Sequence, residues 1–302
     1  MKPQPSPVYI SSAQNPRVKQ LLSLQQKSSE RRKTGLFVVE GRRELHHCVE
    51  AGLRVDSVFC CPEMLERGSA FAGPSTPPPS SHLFEVSPQV YEKIAWRGGT
   101  EGIVATVEAR RQTLDDLPER AAPLYVVLES VEKPGNLGAI LRTADAAGAD
   151  AVLVCDPLTD LYNPNLIRSS VGACFTVPCV ACSSEECIAW LQRRHVDILT
   201  AQLQDSSLYY DTDMRRATAL VMGTEATGLS TQWRQAASAH VRIPMLGRLD
   251  SLNVSVSAAI LLFEAVRQRR QAAGGETCPA HGWLDTKTQS HKGFEADEHT
   301  LK

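Results

Sequence analysis

No stretch of this 302-residue sequence approaches the run of about eighteen apolar residues that a membrane-spanning helix needs. The opening MKPQPSPVYISS lacks the apolar core of a secretory leader and the Arg-rich amphipathic pattern of a transit peptide. A cytoplasmic protein is the expectation. Charge of one sign is also missing overall. Against 34 Asp and Glu stand 32 Lys and Arg, a net of −2, so no global basic field calls for a polyanionic partner. Two common phosphate cradles are absent. After the apolar run LYVVLES, the stretch EKPGNLGAILRTADAAGA carries Gly135 and Gly138 at the wrong spacing for G-x-G-x-x-G, and no Gly-Lys-Ser/Thr occurs there. That counts against a nucleotide-dependent oxidoreductase.

What is present divides unevenly along the chain. Residues 1–60 hold ten Lys and Arg and five Asp and Glu, a local excess of +5 (10 − 5). This suits either a polyanion-binding face or a merely solvated one. Asn15 and Pro16 open a helix over 16–28, SSERRKTG reads as a basic loop, LFVVE (36–40) as a strand and 42–52 as a helix. Further strands fall at 55–60 and 102–108, with a short helix at SPQVYEKIA. The Pro-, Gly- and Ser-rich 68–82 reads as a mobile insertion. This makes residues 1–110 a small α/β domain, followed by a linker at 111–122.

From 123 to 271 strands and helices alternate. Strands are expected at 124–130, 151–156, around Val177, at DILTAQL, 217–223 and 240–245. Helices are expected at 136–148 with Asn136 as N-cap and Gly148 as C-terminal stop, and at 163–174, 184–195, 230–238 and 251–271. Such alternation gives a parallel sheet covered on both faces. Residues 272–302 turn polar and read as a disordered tail.

Nine cysteines without an export signal read as reduced thiols. Cys174, Cys179, Cys182 and Cys187 have a spacing whose first three members match an iron–sulfur pattern. Alternation along a strand sends Cys179 and Cys182 to opposite faces, so they read as small buried hydrophobes and no metal site is expected.

Ligands of open parallel sheets bind beyond the carboxyl ends of the strands. Three loops leave such ends with unusual composition: ESVEKPGNLG, MGTEATGLS and IPMLGRLDSLN. Taken singly, Arg142 suits a surface residue paired with a neighbouring acid, Asn136 a helix cap and Glu225 an exposed loop acid. Taken in order, the segments Asn136–Ala144, Leu220–Leu229 and Ile243–Ser257 closely resemble the three motifs of the SpoU/TrmH-type RNA 2′-O-ribose methyltransferases of the SPOUT superfamily. The resemblance covers roughly residues 122–270. A looser match, in SSAQNPRVKQLLSL and LFVVEG, extends to that family's L30e-like substrate-binding domain.

The resemblance implies a knotted parallel-sheet domain, an exception to the unknotted-chain rule, preceded by a small α/β RNA-binding domain. It implies methyl transfer from S-adenosylmethionine to a ribose 2′-hydroxyl, in ribosomal RNA by preference or in tRNA, by a homodimer with its site at the subunit interface. An inactive RNA-binding relative is the alternative that keeps the fold. By motif position Gly223, Ile243, Met245 and Leu252 grip the cofactor, and Asn136, Arg142, Glu225, Ser251 and Asn253 serve catalysis. Candidate RNA contacts are Arg17, Lys19, Arg31, Arg32, Lys33 and Arg42, with Arg43 beside them. Few aromatics accompany them, so base stacking is not evident. The Arg142 counterpart has been cast as the base. Taking a guanidinium from above about 12 to near 7 costs at least ~7 kcal/mol. A cationic Arg142 that holds the RNA phosphate and steadies developing alkoxide charge costs less.

Overall fold

The computed structural model describes residues 7–67, 82–95, 101–224 and 227–274. The expected insertion, His82 apart, and the tail from 275 lie outside these residues. The N-terminal unit runs β1 (Val8–Ile10), α1 (Pro16–Gln26), α2 (Ser28–Thr34), β2 (Leu36–Glu40), α3 (Arg42–Glu50), β3 (Val55–Cys60), α4 (Pro62–Arg67), β4 (His82–Val86), α5 (Pro88–Ile94) and β5 (Ile103–Glu108). Its sheet has the order β1-β4-β3-β5-β2. The β1, β4 and β3 strands are parallel, and β5 runs antiparallel to β3 and β2. Asn15 caps α1 by accepting from the Arg17 N–H, and Pro16 takes the first helical position as expected. Val18, Leu21 and Leu24 of α1 and Tyr91 and Ile94 of α5 cover one face of the sheet.

The basic segment expected as a loop is the helix α2. Gly35 ends it in the left-handed region (φ 67°). Its anchor is tertiary: Arg31, 5% exposed, bonds Asp160 Oδ2 at 2.6 Å and the carbonyls of Leu24 and Gln25.

The C-terminal unit runs β6 (Leu124–Glu129), α6 (Pro134–Ala147), β7 (Ala151–Cys155), α7 (Pro164–Ser170), α8 (Ala173–Thr176), β8 (Cys179–Cys182), α9 (Ser184–Arg193), β9 (Asp197–Ala201), β10 (Ser207–Leu208), β11 (Thr218–Met222), α10 (Thr231–Ala236), β12 (Ala239–Arg242) and α11 (Val254–Ala272). All seven strands are parallel, in the order β10-β12-β9-β11-β6-β7-β8. Both faces are covered, which explains the unbroken apolar strands. Along β6, Leu124, Val126 and Leu128 meet α6, α7 and α11, while Tyr125 and Val127 meet Trp190 of α9 and Trp233 of α10.

The single helix expected over 163–174 is two. Val171 (φ 57°) and Gly172 (φ 91°) are left-handed and separate α7 from α8. A Cβ on Gly172 would stand 2.5 Å from the His47 ring, so the glycine also admits α3 of the other unit. Asn136 is not the cap of α6. The helix starts at Pro134, with Lys133 in the cap position and Asn136 in the first turn. The linker is not free either, because Leu117, 3% exposed, is buried in the C-terminal core.

The two units share apolar core. Phe37 of β2 stacks on Tyr162 at 4.3 Å and on Phe175 at 5.7 Å between ring centres, in one cluster with Leu45, Val58 and Ile167. An interface of this composition holds the units in a fixed relation.

Candidate active site

The chain builds β7 and β8 on one side of β6, then β9, β11 and β12 on the other. The strand order therefore reverses between β6 and β11, and the crevice beyond their carboxyl ends is where ligands of such sheets bind. The loops after β6, β11 and β12 meet there.

Asn253 caps α11: its Oδ1 accepts from the Ser255 N–H at 3.0 Å and from the Ser255 hydroxyl at 2.6 Å. Its amide Nδ2 donates to Asn136 Oδ1 at 3.2 Å, across 117 residues of sequence. Asn136 in turn lines a cavity of about 130 Å³ with Val131, Lys133, Gly223, Thr224 and Val254. Gly223 is required by close approach, since a Cβ there would stand 2.3 Å from the carbonyl carbon of Gly228. Thr224 bridges back to Gly228, closing the loop that leaves β11. Glu225 lies outside the described residues. The loop's far end is tied to β6, where buried Glu129 accepts the Ser230 N–H at 2.8 Å.

A second cavity has a volume of about 140 Å³. It is walled by Ile243, Met245, Leu252, Ala201 and Leu261, with Ser251 and Gln202 among its polar members. Three of the four residues expected to grip a cofactor are therefore together, and Gly223 lies in the first cavity. Gln202 was missed in the sequence. Its Nε2 donates to the Gln204 carbonyl at 2.9 Å, but its Oε1 is buried with no partner among the described residues. A buried acceptor of this kind takes a hydrogen-bond donor, from water or from a bound ligand. The available signal was its place just past the carboxyl end of β9. Ser251 is exposed, and its hydroxyl donates to Asp250 Oδ1 at 3.2 Å.

Arg142 makes no hydrogen bond to the Asn136–Asn253 pair within one chain among the described residues. It stands six residues further along α6, roughly 9 Å along the axis and about 240° around it. Its side chain is exposed and makes no ion pair or hydrogen bond among the described residues. The neighbouring acid does not claim it, because Asp145 Oδ1 instead accepts from the Thr176 hydroxyl at 2.7 Å. Gly138 has a packing reason: a Cβ there would meet Ser169 Oγ at 1.9 Å and the Leu166 carbonyl at 2.7 Å, so α7 comes this close to α6 because the residue is a glycine.

Of the basic candidates, Arg17, Lys19, Arg32 and Lys33 are exposed. Arg17 rests over the Phe84 ring at 5.9 Å. Arg42 is half-buried and donates to the Leu65 carbonyl at 3.1 Å, and Arg43 pairs with Glu44 at 2.7 Å. Arg31 corrects the expectation outright: its guanidinium is spent inside the junction of the two units and cannot reach a phosphate.

A parallel sheet with two cavities beyond the carboxyl ends of its strands, one of them apolar-walled, is the arrangement in which α/β enzymes bind a small organic cofactor. Residues 123–263 match the SpoU rRNA Methylase family model, and residues 15–105 match an MRM3-like substrate binding domain. The chain is 31% identical over 266 residues to the 23S rRNA (uridine(2479)-2′-O)-methyltransferase of Streptomyces viridochromogenes, covering 85% of this chain and 92% of that one. A solved RNA 2′-O ribose methyltransferase is 37% identical, with a TM-score of 0.72 over 87% of this chain and 99% of the other. The AdoMet-bound rRNA methyltransferase of Sinorhizobium meliloti is 30% identical, with a TM-score of 0.76 over 86% and 97%. The chain belongs to the SpoU rRNA methylase family.

Proposed function

We propose that this chain transfers a methyl group from S-adenosylmethionine to a ribose 2′-hydroxyl of ribosomal RNA, as a homodimer in the cytoplasm. The observation that carries the reading is the Asn253–Asn136 hydrogen bond. It joins the first and third motif loops. The second cavity suits one part of the cofactor, its heterocycle: Ile243, Met245 and Leu252 are apolar, and Gln202 Oε1 suits an amino donor.

The bound cofactor supplies a methyl group on a sulfonium, a leaving group good enough that the transfer needs no metal. The rest falls to the chain. Asn136 and Asn253 fix the two loops against each other and present amide groups to the ribose. Arg142 stays cationic, pairs with an RNA phosphate and stabilises alkoxide charge, while a phosphate oxygen or water takes the proton. Arg142, exposed and about 240° around α6 from its own Asn136, serves the site of a second copy. Exposed Leu246, Leu249, Val256 and Phe263, on the third loop and α11, supply the apolar surface for that copy. A trefoil knot belongs to the same reading, with α11, packed on α6, as the element that closes it. Glu225 orients Arg142 or Asn136. The exposed Arg17, Lys19, Arg32 and Lys33 contact RNA phosphates, with Arg42 beside them.

The test is transfer of labelled methyl groups to ribosomal RNA from a strain lacking this gene, followed by nucleoside digestion. A labelled 2′-O-methyl nucleoside is expected. Label on a base, or none on any RNA despite cofactor binding, defeats the reading.

A further inference from the structure

A cluster of thiols lies on the far side of the sheet from α6 and α11. Cys155 ends β7, Cys182 ends β8, and the two are register partners, so their side chains leave the sheet together. Over that face crosses α9, whose start is fixed by a reciprocal cap. Ser183 Oγ accepts the Glu186 N–H at 3.2 Å, and Glu186 Oε2 accepts the Ser183 N–H at 2.9 Å. This cap delivers Cys187 onto the pair. The three sulfurs all lie within 4.8 Å of one another, and Cys155 Sγ stands 3.8 Å from Cys182 Sγ. Of the four cysteines singled out by spacing, Cys179 faces the opposite layer of the sheet, as alternation requires, and Cys174 packs with it. The cluster therefore takes its third member from 27 residues before Cys182 rather than from the sequence pattern.

We propose that Cys155, Cys182 and Cys187 form a thiolate site for a zinc ion. Zinc–sulfur bonds of about 2.3 Å in a tetrahedron place sulfurs roughly 3.8 Å apart, the separation found for Cys155 and Cys182. Three soft donors in one place select zinc over the hard cations. Cys155 and Cys187 are fully buried, whereas Cys182 is half-exposed, leaving a solvent-side approach for the ion and a fourth, oxygen ligand. A disulfide fits less well, because strands about 4.8 Å apart hold paired Cβ atoms wider than the ~3.8 Å a disulfide prefers. It would also leave the third thiol unused.

The site is structural. The β8 strand is the edge of the sheet, and the ion pins it to β7 and to α9. One residue beyond Cys155, Asp156 Oδ2 accepts from the Ser184 hydroxyl at 2.6 Å, and Ser184 lies 3.5 Å from Glu129, the residue that holds the Ser230 N–H. Zinc thus steadies the anchor of the loop that leaves β11.

The experiment titrates the reduced, chelator-treated full chain with cobalt(II) and then zinc, and measures melting with and without zinc. Expected are one cobalt per chain with an intense thiolate charge-transfer band, displacement by zinc, and a zinc-dependent rise in Tm. Cys182→Ser, at a half-exposed position, should stay folded, lose the Tm rise and bind cobalt more than about 100-fold more weakly. Cys60→Ser, in the other sheet, should keep both effects. The proposal is overturned if the wild type shows no charge-transfer band, or if Cys182→Ser retains it. A Cys155–Cys182 disulfide in the isolated chain whose reduced form takes up no cobalt overturns it equally.

Discussion

Asn253 Nδ2 donates to Asn136 Oδ1 at 3.2 Å while Asn253 Oδ1 caps α11, so one side chain both starts the last helix and holds the first turn of α6. The two jobs separate by substitution. Asn253→Asp keeps an N-cap acceptor but replaces the donor facing Asn136 with a carboxylate oxygen. Stability should stay within about 0.5 kcal/mol while methyl transfer falls at least tenfold. Asn253→Ala loses the cap as well and should cost about 1 kcal/mol in addition. Urea denaturation beside a labelled-methyl assay reads both. Full activity in Asn253→Asp would show that the amide bond between the loops is dispensable.

Arg142 is exposed and unpaired among the described residues, so Arg142→Ala should change stability by less than about 0.5 kcal/mol. Activity should nevertheless collapse. If Arg142 serves a neighbouring copy, mixing Arg142→Ala with Asn136→Ala subunits through a denaturation and refolding cycle restores one intact site in each mixed dimer. Random pairing then returns about a quarter of the wild-type rate. Recovery no greater than the sum of the two variants alone would place Arg142 in its own chain's site or outside catalysis.

Some of this was readable in the sequence and some was not, for physical reasons. The strands LYVVLE, AVLVC and TALVM are buried on both faces, and their unbroken apolar runs announce that directly. The α2 helix was hidden because its anchor, Arg31 on Asp160, spans 129 residues. Local composition alone reads SSERRKTG as a solvated loop. The start of α6 was misplaced by two residues although Pro134 at the first position carried the signal. The cysteine cluster was invisible because strand register, not spacing, sets Cys155 beside Cys182. Gln202 shows no motif at all. Only the structure reveals that its oxygen lacks a partner among the described residues.

Gly223 presses on Gly228 closely enough that Gly223→Ala would place a methyl 2.3 Å from backbone. The loop must move, because neither neighbour is a flexible side-chain end. S-adenosylmethionine affinity, measured by calorimetry, should drop at least tenfold for a stability cost of about 1–3 kcal/mol. Gly135→Ala, where a Cβ meets nothing within 4 Å, is the control and should bind as the wild type does.

Arg31 and its neighbours in α2 should behave oppositely. Arg31→Ala takes the ion-pair partner from half-buried Asp160 and the donor from two carbonyls at the junction of the units, and should cost about 3 kcal/mol. Arg32→Ala and Lys33→Ala are surface changes and should leave Tm nearly unmoved. Each should make RNA affinity less sensitive to salt, reducing the log–log slope by about 0.7–0.9 for every phosphate that the side chain neutralises. Filter binding across a salt series, set beside thermal melts, distinguishes the two roles. A stable Arg31→Ala would mean that the junction does not depend on its ion pair.

Glu264 ties α11 to the segment before β11. Its Oε1 accepts from Arg267 at 2.7 Å and from Gln268 at 2.8 Å, and Gln268 in turn bonds Met214 N at 2.8 Å and the Thr212 carbonyl at 2.9 Å. The Arg267 hydrogen bond holds the Glu264 carboxyl below its ordinary pKa of 4.5, with Gln268 adding to the effect against partial desolvation. A depressed carboxylate stabilises the fold fully above its unfolded pKa, and that contribution disappears as pH falls through the lower, folded value. Wild-type stability should therefore fall on the acid side of 4.5, where Glu264→Gln has no charge to lose at this position. The variant should be the less stable protein at neutral pH, and the difference should shrink in acid. Urea midpoints at stepped pH measure this. A constant gap between the two proteins down to acid pH would mean that the Arg267 pairing contributes nothing to the fold.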